Sequence, residues 1–116
     1  MQSTRQQKIE RLIQKDMSDI LLRYAKSLYS RFHSLLLSVS EVRISPDLSI
    51  AHIYLSIYPQ TQTAAVMEQI ELDTPRLRGE LGTLERHQLR IIPELHFHLD
   101  ETIDRLEHID QLLHTV

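Results

Sequence analysis

A stretch of alternating apolar and polar residues, interrupted by two prolines, constrains the fold of this chain most strongly. Residues 42–59 read VRISPDLSIAHIYLSIYP, with apolar side chains at every second position on both sides of Ser45-Pro46-Asp47-Leu48. That tetrapeptide favours a tight turn, because Pro46 fixes φ. Pro59 ends the pattern, since proline cannot donate to a strand ladder. The segment therefore predicts an antiparallel hairpin with one covered face.

A third segment with the same period lies near the carboxyl end. Residues 91–99 alternate in the same way, and Pro93 predicts a strand start or an edge position. Three strands with one apolar and one polar face predict a sheet that helices cover on one side only, a two-layer α+β sandwich. The alternating residues of the third strand are Leu95, Phe97 and Leu99 on one side and His96 and His98 on the other.

The residues before the hairpin predict an amphipathic helix. Either Ser3 or Thr4 can cap it. Its apolar residues recur at helical spacing and form one stripe, while most of its basic residues fall off that stripe. The stripe consists of Ile9, Leu12, Ile13, Met17, Ile20, Leu21, Tyr24 and Leu28.

Three more helical segments are predicted after the hairpin. A short helix covers about 64–72, and a second runs from Thr74 to about Gln88, with Pro75 at its first position, where the missing N–H does no harm. The two are expected to meet at a kink at Asp73-Thr74-Pro75 rather than to form one long helix. Asp100 is expected to cap an additional acidic C-terminal helix.

Composition narrows the class of protein. A length of 116 residues predicts a single domain over 1–116. No cysteine is present, which excludes disulfides and thiolate metal sites. No apolar run approaches the roughly 20 residues needed to span a bilayer, and the amino-terminal residues are too polar for a secretory signal. We therefore expect a cytoplasmic protein that does not bind membranes.

The net charge of −3 conceals a strong asymmetry along the chain. Residues 1–31 hold seven basic and three acidic residues, whereas residues 93–116 hold one basic and six acidic residues. Such a chain attracts a polyanion at one end and repels it at the other. Two solvated helix faces of opposite sign are the plainer explanation, and the sequence leaves both open.

Two motifs have a functional and a structural interpretation. Gly79-Glu80-Leu81-Gly82 matches the GxxG of KH domains, whose glycine loop approaches nucleic-acid phosphates. Here it falls inside a helical stretch with an acid and a leucine at its centre, which favours close helix–sheet packing. His96 and His98 share a strand face and could offer two imidazoles to zinc. No third ligand is evident, so surface histidines are expected and no metal.

Catalytic patterns are missing from the sequence. It has no GxSxG nucleophile motif and no glycine-rich phosphate loop, and only two glycines occur in the whole chain. Adjacent carboxylates at Asp100 and Glu101 fit helix capping. We expect no enzyme, no cofactor and no small-molecule substrate.

Four segments resemble the ribosome-binding factor A family, and together they cover nearly the whole chain. They are residues 3–21, the hairpin 42–59, LRGELG at 77–82 and RHQLRIIPELHFHLDETIDRLEHIDQLL at 86–113. The resemblance implies a KH type II-like fold of order α-β-β-α-kink-α-β. It also implies a non-catalytic, monomeric factor that binds the small (30S) ribosomal subunit and its 16S rRNA during late maturation and rRNA processing, above all at low temperature.

The chain departs from the family pattern in three places. Asp73-Thr74-Pro75 stands where the family has an Ala-x-Gly kink. Thr83-Leu84-Glu85 replaces residues that are often basic, and the chain ends at Val116 without the long charged tail of some members.

The expected RNA contacts are basic residues of the first helix, the hairpin and the central helical region. Cations bind phosphates through Coulomb attraction and counterion release, and an aromatic content of 5% argues against base stacking as the main mode. The alternative is a protein–protein adaptor or homodimer that pairs through the last helix and binds no RNA. The predicted RNA-binding residues are Lys8, Arg11, Lys15, Arg23, Lys26, Arg43, Arg76, Arg78, Arg86 and Arg90.

Overall fold

The computed structural model describes residues 3–100, which form two α-helices and a three-stranded sheet. The predicted α+β class is confirmed, and the elements follow the predicted order α-β-β-α-kink-α-β except that a single helix replaces the predicted central pair. The predicted C-terminal helix lies, from residue 101 on, outside the described residues. The elements are α1 Thr4–Ser27, β1 Leu36–Ile44, β2 Ile50–Tyr58, a 3-10 turn Gln60–Gln62, α2 Thr63–Glu85 and β3 Glu94–Leu99.

Helix α1 begins with a capping box that also ties it to the sheet. The Ser3 hydroxyl accepts from the Gln6 backbone N–H at 3.1 Å, and the Gln6 side chain accepts from the Ser3 N–H at 2.9 Å. Gln6 also donates to the Ile44 carbonyl at 3.3 Å, while Glu10 accepts from the Ile44 N–H at 2.8 Å. The first turns of α1 are therefore fixed against the end of β1.

The sheet has the order β1-β2-β3, with β1 and β2 antiparallel and β2 and β3 parallel. The predicted hairpin turn is confirmed: the Leu48 N–H donates to the Ser45 carbonyl at 2.9 Å, and Leu48 has a φ of 64°. A bulge between Val39 and Glu41 shifts the register within β1. This shift keeps the apolar side chains on both halves of the strand directed at the helices.

Strand β3 starts later than predicted, at Glu94 instead of Ile91. Among the described strands it pairs only with β2, and the pairing begins at Ile50 opposite Glu94. Within residues 3–100, the residues just before Glu94 have no strand to pair with. Pro93 lies just before an edge strand, in agreement with the sequence prediction.

Helix α2 corrects the predicted helix pair, because one helix runs from Thr63 to Glu85 with Pro75 in its interior. Asp73 lies inside this helix instead of ending a helix at about residue 72, and its carboxylate accepts from the Tyr24 hydroxyl of α1 at 2.6 Å. An interior proline costs about 3 kcal/mol. Packing offsets this cost, because one buried apolar stripe continues across the proline; it consists of Val66, Ile70, Leu77 and Leu81.

Both helices cover one face of the sheet and enclose the core. The core-facing residues of β2 are buried, whereas the residues that alternate with them are half-buried or exposed. No helix within residues 3–100 packs on that second face, so the two-layer prediction is confirmed. Neither described helix is long and apolar enough to cross a membrane. The core residues of β2 are Ala51, Ile53, Leu55 and Ile57.

Candidate nucleic-acid interface

A line of basic side chains runs along the outer side of α1. At 100° per residue these side chains fall within an arc of about 120°, opposite the buried stripe of the helix. All of them are exposed, and at 1.5 Å per residue the line from Lys8 to Lys26 is about 27 Å long. We call this surface the basic stripe; it consists of Arg5, Lys8, Arg11, Lys15, Arg23 and Lys26.

The charges of the basic stripe are largely uncompensated. Within residues 3–100, none of its side chains forms an ion pair or a hydrogen bond to another side chain. Helix α1 holds six basic and three acidic residues, and of the acids Asp19 lies on the same arc. A rigid row of free cations on one helix is an electrostatic site for a phosphate backbone.

The predicted arginines of α2 lie on different sides of the helix. The Arg76 guanidinium is 5.9 Å from the ring of Tyr24 in α1 and its Nε is 3.8 Å from a Glu80 oxygen. Arg78 instead donates to the carbonyls of Pro93 and Ile92 at 3.0 and 2.6 Å. Arg76 thus borders α1, while Arg78 holds the segment that leads into β3.

The remaining predicted arginines are distributed over three places. Arg43 lies on the uncovered face of the sheet, where its Nε is 2.9 Å from Glu41. Arg86 follows the end of α2 and donates to His87 at 3.3 Å. Arg90 shares a surface groove with Arg5. The structure therefore brings Arg90 beside the basic stripe and places Arg43 on the opposite side of the sheet.

Sequence reasoning missed Arg5 as a site residue. Its signal was the spacing of three residues from Lys8, which places two side chains on the same face of a helix. Both residues line a groove with Gln88 and Leu89. This contact shows that the segment after α2 packs beside the first turns of α1 and extends the cationic surface there.

A buried carboxyl at the junction of the helices was also missed. Glu85 in α2 is fully buried, and neither of its oxygens has a hydrogen-bond partner of ordinary geometry within residues 3–100. Burial first, and then the neighbouring Asp16 carboxylate, raise the pKa of Glu85 to about 8. The group is therefore mainly a neutral acid at pH 7 and adds little negative charge near the basic stripe.

The glycine motif lies within α2, as predicted, and its two glycines differ. A Cβ built on Gly82 would lie 3.4 Å from the Ile92 side chain, whereas one built on Gly79 would meet nothing within 4 Å. A distance of 3.4 Å is an ordinary van der Waals contact, so close packing does not require glycine at either position. Neither glycine is part of a loop that could cradle a phosphate.

The histidines of the sheet lie close together on one face. His96 and His98 share the uncovered face with His52, but no group of three or more potential ligands within residues 3–100 has the geometry to hold a metal ion.

Comparisons with known proteins give one consistent family. The family model described as ribosome-binding factor A matches residues 5–113. Ribosome-binding factor A of Cytophaga hutchinsonii is 45% identical over 113 residues, which cover 97% of this chain and 83% of the relative. The protein of the same name from Flavobacterium johnsoniae is 39% identical over 113 residues, covering 97% and 85%.

Solved structures support the same fold. The crystal structure of ribosome-binding factor A from Thermus thermophilus aligns with a TM-score of 0.63 at 20% identity, covering 81% of this chain and 94% of that one. A homology model of the Thermus thermophilus factor, fitted into a cryo-EM map of a 30S complex, aligns with a TM-score of 0.61 at 22% identity, covering 80% and 92%. These structures confirm the KH-like fold implied by the resemblance. Taken with the sequence matches over nearly its whole length, they show that the chain belongs to the ribosome-binding factor A family.

Proposed function

We propose that this chain is a non-catalytic assembly factor that binds the small ribosomal subunit and its 16S rRNA through the basic stripe of α1. The observation that carries the proposal is the row of six exposed cations without side-chain partners in the described structure. Its relatives bear the name ribosome-binding factor A, and the Thermus thermophilus factor has been fitted into a map of a 30S complex.

The geometry of the stripe favours recognition of the RNA backbone. A straight row about 27 Å long can follow successive phosphates of a folded RNA, whereas it offers few planar groups for reading bases. Arg90 borders the row and would widen the contact. In this proposal the protein holds an immature region of the subunit without changing any covalent bond, acts in the cytoplasm as a monomer, and matters most in the cold.

The salt dependence of binding to purified small subunits tests the proposal. If all six stripe cations contact phosphates, the slope of log affinity against log salt is about −4 to −5. The combined variant Lys8→Gln, Arg11→Gln and Lys15→Gln should weaken binding and reduce the magnitude of that slope by about 2 to 3.

A matched pair of single variants provides the control. Arg11→Gln and Arg31→Gln each remove one exposed guanidinium, but Arg31 lies outside the stripe and bonds to Gln69 at 2.7 Å. Arg11→Gln should reduce the slope and Arg31→Gln should not. Equal effects of the two variants, or binding that does not change with salt, would contradict a phosphate contact through α1.

A further inference from the structure

The uncovered face of the sheet carries a compact group of rings that the basic stripe does not use. The register places His52 opposite His96 and Tyr54 opposite His98 on the parallel strands β2 and β3. Adjacent strands are about 4.8 Å apart, so side chains at paired positions on one face contact each other. We call these four residues the histidine–tyrosine face.

The rings of this face are already ordered against one another. Tyr54 and His98 stack with centroids 5.1 Å apart at an interplanar angle of 27°. The His52 ring lies 5.0 Å from His98 and 5.5 Å from His96. His52 Nδ1 and His98 Nε2 are 2.8 Å apart, which is a hydrogen bond in which one ring donates and the other accepts. A flat ligand would therefore meet rings that lose little conformational entropy on binding.

Charged groups of both signs surround the histidine–tyrosine face. From β3, a Glu94 oxygen lies 3.5 Å from His96 Nε2. From β1, Glu41 and Arg43 stand opposite Tyr54 and His52 and pair with each other. Both helices lie on the other side of the sheet, but Glu68 and Glu71 of α2 line a pocket with His96 and His98 at the edge of β3. Burial first, and then the charges of His52 and His96, lower the pKa of His98. A bound phosphate could accept hydrogen bonds from the imidazole N–H groups.

The chemistry of the face selects among ligands. A second copy of the chain would bury ring nitrogens and the hydroxyls of Ser38 and Ser56, which is costly without new hydrogen bonds. A nucleotide supplies a planar base for the rings and a phosphate for the imidazoles. Protein sheets that display aromatic rings stack unpaired bases in this way.

We propose that the histidine–tyrosine face is a second RNA-contact surface, which stacks about two unpaired bases of single-stranded RNA. The inference rests on the proposed function, because the ligand is taken to be RNA. It assigns a different surface and a different mode: the basic stripe follows phosphates on the helical side, and this face holds bases on the other.

Fluorescence anisotropy with a labelled ten-nucleotide oligouridylate tests the assignment, with an abasic phosphodiester oligomer of equal length as the control ligand. Tyr54→Ala should weaken oligouridylate binding about 5-fold or more, while the matched variant Tyr54→Phe keeps the ring and should bind like the parent. The exposed His96 gives a second pair: His96→Phe keeps a planar ring and should retain most affinity, whereas His96→Ala should weaken binding. Thermal melts check that each variant folds.

The outcomes separate this inference from the proposed function. Equal affinity for the abasic oligomer, or parental affinity in Tyr54→Ala and His96→Ala, would overturn the inference while binding to small subunits still supports the stripe. Loss of a dimer in Tyr54→Ala, seen by sedimentation, would show the face to be an interface between copies and would overturn it too. Failure of the parent chain to bind small subunits would overturn the proposed function itself. Binding to small subunits without any binding to oligouridylate would overturn only the inference.

Discussion

The buried carboxyl of Glu85 makes the stability of this fold depend on pH in an unusual direction. Its pKa is about 8 in the folded chain against 4.5 as the reference value. A raised pKa means that the folded state holds its proton more tightly than the unfolded state does. The contribution of Glu85 to stability is therefore fully present below pH 4.5 and is lost as pH rises through about 8.

The size of the effect follows from the difference between the two pKa values. At pH 7 the folded state must keep a proton that the unfolded state has released, which costs about 3 kcal/mol at 1.36 kcal/mol per unit. At pH 5 the same calculation gives less than about 1 kcal/mol. Glu85→Gln replaces the carboxyl by an amide of almost the same shape that does not ionise. It should raise the free energy of unfolding by up to about 3 kcal/mol at pH 7 and by less than about 1 kcal/mol at pH 5.

Urea denaturation at pH 5 and pH 7 measures the effect. The gain of Glu85→Gln over the parent should be clearly larger at pH 7, and Asp16→Asn should produce a smaller gain of the same sign, because Asp16 is the lesser cause of the shift. Glu71→Gln, at an exposed position on the same helix, is the control and should change little. A gain for Glu85→Gln that is the same at both pH values, or no gain at all, would refute the argument.

Three further predictions concern local contacts. Arg78→Ala should lower the free energy of unfolding by about 1–3 kcal/mol, because two carbonyls before β3 lose a charged donor; an unchanged urea midpoint would count against this. Tyr24→Phe should cost about 1 kcal/mol at pH 7. The hydrogen bond from the Tyr24 hydroxyl is the main cause that lowers the pKa of Asp73. The cost of Tyr24→Phe should therefore shrink as pH falls and this carboxylate becomes protonated, and a cost that does not change with pH would contradict the prediction. Gly79→Ala should raise the free energy of unfolding by up to about 1 kcal/mol, because a Cβ at that position meets nothing within 4 Å; a melting temperature below that of the parent would contradict this.

The sequence predicted the sheet and the core well because both follow from local periodicity. Period-two alternation identified the core-facing residues of β2, and the turn at Pro46 set the hairpin. The continuation of α2 through Pro75 could not be predicted from the sequence. The unbroken helix depends on tertiary contacts, namely a buried apolar stripe on both sides of the proline and the hydrogen bond from the Tyr24 hydroxyl to Asp73.

The candidate site was predictable on α1 and not elsewhere. Helical spacing alone places Lys8, Arg11 and Lys15 on one face. The positions of Arg43 and Arg78 depend on which side of the sheet and which carbonyls they meet, and spacing along the chain carries no such information. The ring contacts between β2 and β3 likewise require the parallel pairing of two distant segments.

Sedimentation of a cell lysate through a sucrose gradient tests the central claim most directly. The parent chain should migrate with free small subunits and not with translating ribosomes. The variant with Lys8→Gln, Arg11→Gln and Lys15→Gln should stay at the top of the gradient although it melts at the parental temperature. A folded variant that still migrates with the small subunits would contradict the claim that the basic stripe of α1 binds them.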